Sequence, residues 1–376
     1  MPVSPLHQHH ARAGANFFNW SGWLLSGHYS SPEDELDRVR SSVGYTDLPF
    51  LSHMVVRGPD ACATLQRLIT RDLKACPPGK AKYMLALNED GAVVDDGLLF
   101  RLADDYFIVS VACRNPALQV GQPGFLDLKR PKDWLHPEAG ARVSIQELGA
   151  FHIGVQGPRS RDLLRPAINL DDLVFFAVRE AHFADIPVIV SRTGYSGELG
   201  FEFLVWPEDA PALWETIVEL GKAYDAVPYG MSATLLMGVE KGYLMGHDFF
   251  PGSTPIEVGL EWAMDFAKEN FVGKQAVLRR REEGIKARLV GLEMSVDSPL
   301  PTAGDSVRLD GRNVGKITIA VVSRRLNRIL ARACVESNIG SSTEVEVSPL
   351  SGAPPLKARL CDSFCWYDPR GLRLKL

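Results

Sequence analysis

The sequence has no CxxC pair, no long apolar run and no extended basic run, and each absence removes a class of function. Six cysteines, Cys62, Cys76, Cys113, Cys334, Cys361 and Cys365, are scattered over 376 residues. In a chain of this length that pattern implies reduced thiols in a cytosol-like compartment and not a disulfide framework. No stretch approaches the ~18 apolar residues of a membrane span. The N-terminus, MPVSPLHQHHARAGANFF, lacks the basic-then-apolar order of a secretory signal. The expectation is a cytoplasmic protein that does not engage a membrane. Lys and Arg number 41 against 46 Asp and Glu, a formal charge of −5, which argues against nucleic acid as a partner. Arg279-Arg280-Arg281 runs directly into Glu282-Glu283 and reads as a solvated helix face.

Three nucleotide and hydrolase signatures are also missing. No GxGxxG follows a strand, and neither a P-loop nor a GxSxG is present, so dinucleotide folds and serine hydrolases have no support. Cys113-Arg114-Asn115 has no histidine associated with it, which argues against a cysteine nucleophile. His7, His9 and His10 lack a second ligand group at recognisable spacing. They read as a mobile, solvated N-terminal cluster, and no metal is expected.

What is present is an ordinary globular composition, 45% hydrophobic and 23% charged, long enough for two or three domains. Residues 87–100, LNEDGAVVDDGLLF, stand out. Asn88-Glu89-Asp90-Gly91 is a turn signal between apolar flanks, as in a β-hairpin. Asp95 and Asp96 then interrupt an apolar strand. Neighbouring strand residues point to opposite faces, so only one of the two looks into any given pocket. A buried carboxylate needs a partner; a strand-end turn and a polar ligand are both open as the reason.

Elsewhere, Ser31 is a candidate N-cap for a helix over 32–43, with Leu36, Val39 and Val43 at helical spacing. A strand at 55–57 leads into Gly58-Pro59 and a helix carrying Leu65, Leu68 and Ile69. A strand at 106–112 follows the hairpin. Residues 120–135 read as a loop. A second strand, 151–155, runs into Gln156-Gly157-Pro158 and another helix, a hint of duplicated architecture. A strand at 187–192 leads into a glycine-bounded loop, RTGYSGE, whose backbone can approach a ligand; a strand at 200–205 carries Glu202. A helix over 207–224 presents Leu213, Trp214, Ile217 and Leu220 as a core stripe. From about 287 onward, short strands between Gly, Asp, Asn and Ser predict a small antiparallel β-domain.

These stretches, in order, resemble the glycine-cleavage T-protein family of folate-dependent aminomethyltransferases. The matches include Gly22-Trp23, Arg57-Gly58-Pro59-Asp60-Ala61, Lys82-Tyr83, Asn88-Glu89-Asp90-Gly91, Val94-Asp95-Asp96, Gln156-Gly157-Pro158, RTGYSGELGFE over 192–202, TPIEVGLEW over 254–262 and Phe271-Val272-Gly273-Lys274. The resemblance implies an α+β fold, a three-domain ring of two α+β domains and a C-terminal antiparallel β-barrel. The expected division is 1–49 with 140–265, then 50–139, then 280–376. It implies tetrahydrofolate as cofactor, with Asp96 meeting it near N5 and N10 as the catalytic carboxylate. Tyr83, Tyr195, Glu198, Glu202 and Trp262 match positions around the folate; Glu198 and Glu202 suit the donor-rich edge of a pterin.

Three departures alter the expected substrate. The family's Gly-Leu-Gly-Ala-Arg-Asp reads Gly230-Met231-Ser232-Ala233-Thr234-Leu235 here, which removes a cationic fork. Its Asn-Ala becomes Ala112-Cys113, and its Asp-Val-Ser-His becomes Asp47-Leu48-Pro49-Phe50. These changes speak against a lipoyl carrier protein as partner. Glu240-Lys241-Gly242-Tyr243 and Tyr367-Asp368-Pro369 resemble the folate modules of dimethylglycine and sarcosine oxidases, without their flavin domain. The expectation is a tetrahydrofolate-dependent demethylase that takes a methyl group from a small methylated donor to give 5-methyltetrahydrofolate. For an ether donor, Tyr29 and His247 are candidates to assist the leaving oxygen. The alternatives are aminomethyl transfer and a non-catalytic folate-binding accessory protein.

Overall fold

A computed structural model describes residues 3–20, 22–112 and 131–375. Cys113-Arg114-Asn115 and most of the 120–135 loop lie outside the described residues; at its end, Pro131–Trp134 is a short helix.

Three β-assemblies carry the fold. A five-stranded antiparallel sheet orders Lys80–Leu87, Val93–Ala103, Tyr106–Ala112, Leu51–Arg57 and Ser144–Glu147. A six-stranded sheet orders Val178–Phe183, Ile186–Ser191, Gly200–Val205, Phe151–Gln156, Gly44–Asp47 and Val227–Pro228, with only the last pair parallel. Six more strands, from Ala287–Ser295 to Leu356–Cys361, close into an antiparallel barrel. The α+β class and the C-terminal barrel agree with the sequence reading.

Strand alternation decides which face of each sheet makes core. In the six-stranded sheet Phe151, Ile153, Val155, Phe201 and Phe203 bury one face against Leu213, Trp214 and Ile217 of the helix Ala210–Gly221. In the five-stranded sheet Met84, Leu99, Phe107, Val109 and Val111 pack on Leu65 and Leu68 of the helix Ala61–Leu68. The opposite faces look at each other. At one end they meet through apolar contacts, Leu204 and Ile189 against Phe100 and Ile108. Beyond that seam the inner faces turn polar, and there the candidate site lies.

The helix Pro32–Ser41 starts as the sequence implies, with Ser31 Oγ accepting from the Asp34 amide at 3.1 Å. The N-terminal histidines depart from expectation. His7–Arg12 is a helix. His10 is buried: Nε2 contacts Asp47 Oδ2 at 3.0 Å, and Nδ1 lies 2.8 Å from Tyr29 Oη. Partners 19 and 37 residues away leave no local signal, so a cluster read as solvated is in fact a fixed corner.

Candidate functional site

The Asn88–Gly91 turn folds the two strands of the hairpin together. Gly91 holds φ +80°, and a Cβ there would meet Val277 Cγ2 at 2.9 Å, so the turn needs glycine. The pleat then separates the two aspartates. Asp95 is 0% exposed and faces the helix-covered core, where Trp134 Nε1 donates to Oδ2 at 3.0 Å and the Asp96 amide donates to Oδ1 at 2.9 Å. Asp96 turns to the inner face, half-buried, and accepts from Tyr83 Oη at 2.9 Å. Register explains that contact: Leu85 pairs with Asp96 and Tyr83 with Leu98, so Tyr83 and Asp96 are diagonal neighbours on one face.

Two of the other sequence-derived residues join this pair. The Tyr83 ring stacks on Trp262 with centroids 5.3 Å apart and planes 23° apart. Trp262 stands on the turn Glu261–Ala263 and is 62% exposed, an aromatic face open to a ligand. Tyr195 Oη donates to the carbonyls of Leu244 at 3.0 Å and Tyr243 at 3.2 Å. Its ring lies where a Cβ on Gly238 would sit 2.4 Å away, which explains a glycine inside the helix Met231–Lys241. Burial pushes the Tyr195 phenol far above its ordinary range; Arg332 opposes the shift, and the Asp96 carboxylate is among the charges that add to it.

Glu202 lies on the inner face of the other sheet. Thr193 Oγ1 donates to it at 2.5 Å, and His152 Nε2 contacts it at 3.1 Å. Burial by itself would raise this carboxyl; His152 and Thr193 outweigh that and hold it below the ordinary glutamate range. His152 stacks on His53 of the facing sheet, centroids 5.4 Å apart and planes 22° apart. His53 is 2% exposed, and among the described residues neither ring nitrogen has a hydrogen-bond partner. Burial, followed by the neighbouring His152, pulls its pKa well below 6.5, so it is neutral. Neither histidine was singled out from the sequence. Both are polar residues at inward positions of largely apolar strands, the anomaly that drew attention to Asp96, but no motif surrounds them.

Glu198 has a different setting. Its oxygens accept from Tyr367 Oη and from Arg373 Nε, the latter at 2.8 Å. Burial raises its pKa although both partners oppose the shift. Alongside, Arg40 Nη2 pairs with Glu240 Oε2 at 2.8 Å, both buried, and the guanidinium lies 3.2 Å from the Tyr367 ring centroid. Glu198 therefore ties the RTGYSGE loop to the C-terminal segment, and no described contact joins it to the Asp96 group.

The residues that depart from the T-protein pattern converge. Asp47, Leu48, Pro49, Phe50, Met231 and Thr234 line one small pocket together with Leu25. Ala112 and Leu235 pack on the same apolar cluster, and Trp20 meets Phe50 edge-on at 4.7 Å. The pocket borders both inner faces. Thr46 in its wall pairs with Gly154, as Glu202 does from the other side. Leu51 pairs with Ala112 on the Asp96 side of the five-stranded sheet.

Two stacked aromatics beside a half-buried aspartate present a surface suited to a flat heterocycle, with the buried Glu202 on the facing sheet. The chain belongs to the glycine cleavage T-protein family. The family's GCVT N-terminal domain matches residues 6–268, and its C-terminal barrel domain matches 288–368. An aminomethyltransferase of Lysinibacillus sphaericus is 31% identical over 92% of this chain and 93% of its own length. One from a Geobacillus species is 32% identical over the same shares. The crystal structure of glycine cleavage system aminomethyltransferase T from Bartonella henselae superposes with a TM-score of 0.85 at 25% identity, covering 98% of each chain. With the family come an enzyme assignment and tetrahydrofolate as cofactor. The stacked pair fits that cofactor in kind: Trp262 offers an uncovered ring face, and the half-buried Asp96 lies beside its partner Tyr83. Among the described residues no helix is long and apolar enough to cross a membrane, and no His/Cys/Asp/Glu group could hold a metal ion.

Proposed function

We propose that this enzyme demethylates a small methylated donor and delivers the methyl group to tetrahydrofolate, giving 5-methyltetrahydrofolate. The observation that carries the reading is the convergence of the departures on one pocket. Where the T-protein motif has an arginine and a histidine, this chain places Thr234 and Phe50 in a wall with Leu48 and Met231. A site without that cationic fork is poorly matched to an anionic or carrier-borne substrate.

When bound, tetrahydrofolate supplies the nitrogen that takes up the one-carbon group. Asp96 holds the pterin and takes the proton released at that nitrogen, while Tyr83 Oη fixes its Oδ2. Trp262 and Tyr83 present stacking surface, Tyr195 closes the wall beside Asp96, and Glu202 accepts from the pterin edge. Glu198 acts at one remove, by holding the RTGYSGE loop. The protein's main contribution is alignment of the donor methyl with the accepting nitrogen. On this reading the chain divides into 1–49 with 140–265, 50–139 and 280–376. It works in the cytoplasm on a small methylated substrate, and no lipoyl carrier takes part.

Aminomethyl transfer is the second reading, favoured by the names of the relatives at about 30% identity. The two separate by mass spectrometry of tetrahydrofolate incubated with the protein and a panel of methylated donors. Formation of 5-methyltetrahydrofolate, lost in Asp96→Asn, supports demethylation. Methylenetetrahydrofolate formed only with an aminomethylated lipoyl carrier, with ammonia release, overturns it.

A further inference from the structure

We infer that Arg71 receives the carboxylate-bearing tail of tetrahydrofolate, one step beyond Trp262 from Asp96. The inference rests on the folate placement of Asp96 and Trp262 given above and holds for either one-carbon group. Asp96, Tyr83 and Trp262 form a line that runs outward. Asp96 is half-buried and accepts from Tyr83 Oη at 2.9 Å. The Tyr83 ring stacks on Trp262 at 5.3 Å, and Trp262 is 62% exposed. Tetrahydrofolate has its parts in a matching order. The reacting nitrogens sit at the pterin end, a benzoyl ring follows, and an amide then leads to the glutamate carboxylates. With the nitrogens at Asp96, the benzoyl ring falls on the aromatic pair and the carboxylates reach the outer rim of Trp262.

Arg71 and Arg281 both touch the turn that carries Trp262, and their settings differ. Arg71 Nη1 donates to the Trp262 carbonyl at 2.9 Å and to Asp265 Oδ1 at 3.3 Å. The backbone around Arg71 is pinned to the same turn. Thr70 Oγ1 donates to the Ala263 carbonyl at 2.8 Å, and the buried Lys268 donates to the carbonyls of Ile69 at 2.6 Å and Arg71 at 3.0 Å. The guanidinium is thus held in place before a ligand arrives, which lowers the ordering cost of binding. Arg281 is 57% exposed and lies 3.7 Å from Glu261, itself 45% exposed. That glutamate sets a negative charge on its side of the turn, so an anionic tail is turned away from Arg281 and toward Arg71.

Asp265 already shares the Arg71 charge, so the attraction is local and not a broad positive field. The Arg71 side chain is 20% exposed and its Nε is buried. With Nη1 engaged, Nη2 is the end that a carboxylate reaches, and the bond it makes there is charge-assisted. A planar fork can hold the Trp262 carbonyl with one amino group and a ligand with the other, which a lysine ammonium does not reproduce.

Anaerobic calorimetric titration of the full chain tests the assignment. The probes are tetrahydrofolate and its diamide, in which both tail carboxylates are carboxamides. The parent is expected to bind tetrahydrofolate about tenfold more tightly than the diamide. Arg71→Ala is expected to bring tetrahydrofolate down to the affinity of the diamide and to leave the diamide unchanged. Arg281→Ala is expected to keep the preference of the parent. Equal binding of the two probes by the parent, or a preference that survives Arg71→Ala, overturns the inference. So does an equal loss for both probes in Arg71→Ala, which would mean that Arg71 acts only by holding Trp262. Trp262→Ala separates this failure from failure of the folate placement. Weaker binding of both probes in Trp262→Ala, with the preference intact in Arg71→Ala, refutes the role of Arg71 alone. No loss in Trp262→Ala, or no tetrahydrofolate binding by the parent, sinks the placement and the inference with it.

Discussion

Replacing His53 by leucine should flatten the acid side of the stability profile. His53 is buried and neutral, and neither nitrogen has a partner among the described residues. Its folded pKa lies below that of the unfolded chain, so below about pH 6.5 the unfolded state binds a proton that the fold refuses. The contribution is therefore present above pH 6.5 and lost as pH falls. The loss grows at about 1.4 kcal/mol per pH unit, and amounts to about 2 kcal/mol between pH 7 and pH 5 while His53 stays neutral. His53→Leu removes that slope, and it also removes two unsatisfied nitrogens, each costing about 1–3 kcal/mol when buried. The variant should match or exceed the parent at pH 7 and outlast it by a further ~2 kcal/mol at pH 5. Urea midpoints of both proteins at half-unit steps from pH 8 to pH 5 give the difference directly; titrations common to both cancel. A constant difference across that range would refute the reasoning, because it would mean that His53 gains a proton in the fold as readily as in the unfolded chain.

Arg332 and Asp248 form an ion pair at 2.9 Å, both 0% exposed. Arg332→Met alone should cost about 3–5 kcal/mol in urea unfolding, and adding Asp248→Leu should recover most of it. Tyr83→Phe removes the donor to Asp96 and leaves the ring stacked on Trp262; kcat should fall about tenfold with folding unchanged. Glu198→Gln weakens the contacts to Tyr367 and Arg373. It should cost about 1–3 kcal/mol and expose the C-terminal segment to limited proteolysis while Asp96 chemistry persists.

Local signals carried much of the fold into the sequence. Asn88–Gly91 specified its hairpin because the turn chemistry is confined to four residues, and Gly91 meets Val277 only after that turn exists. Gly58 and Gly157, each between a strand and a helix, hold φ of +134° and +128°, with a neighbouring carbonyl oxygen 2.4 Å from where a Cβ would lie. The paired Gly-Pro signal thus reflects one backbone solution used twice. The inward placement of candidate residues was legible where a polar residue broke an apolar strand inside a recognisable motif, as with Asp96 and Glu202. It was not legible where the meaning arises between sheets. His53 and His152 are 99 residues apart in the chain and acquire a role only by stacking across the cleft. The departures at Phe50 and Thr234 were visible singly. Their convergence on one pocket depends on the helix Met231–Lys241 packing on the strand Trp23–His28, which no local pattern encodes. His10 was misread for the same reason: its burial is set by Tyr29 and Asp47, outside any helical window.

The central claim is that an intact methyl group moves to the folate nitrogen, and a deuterium label tests it most directly. With a donor carrying a CD3 group, the account predicts 5-methyltetrahydrofolate three mass units heavier than the unlabelled product, all three deuterons retained. A folate product carrying two deuterons, at the oxidation level of a methylene bridge, would contradict it.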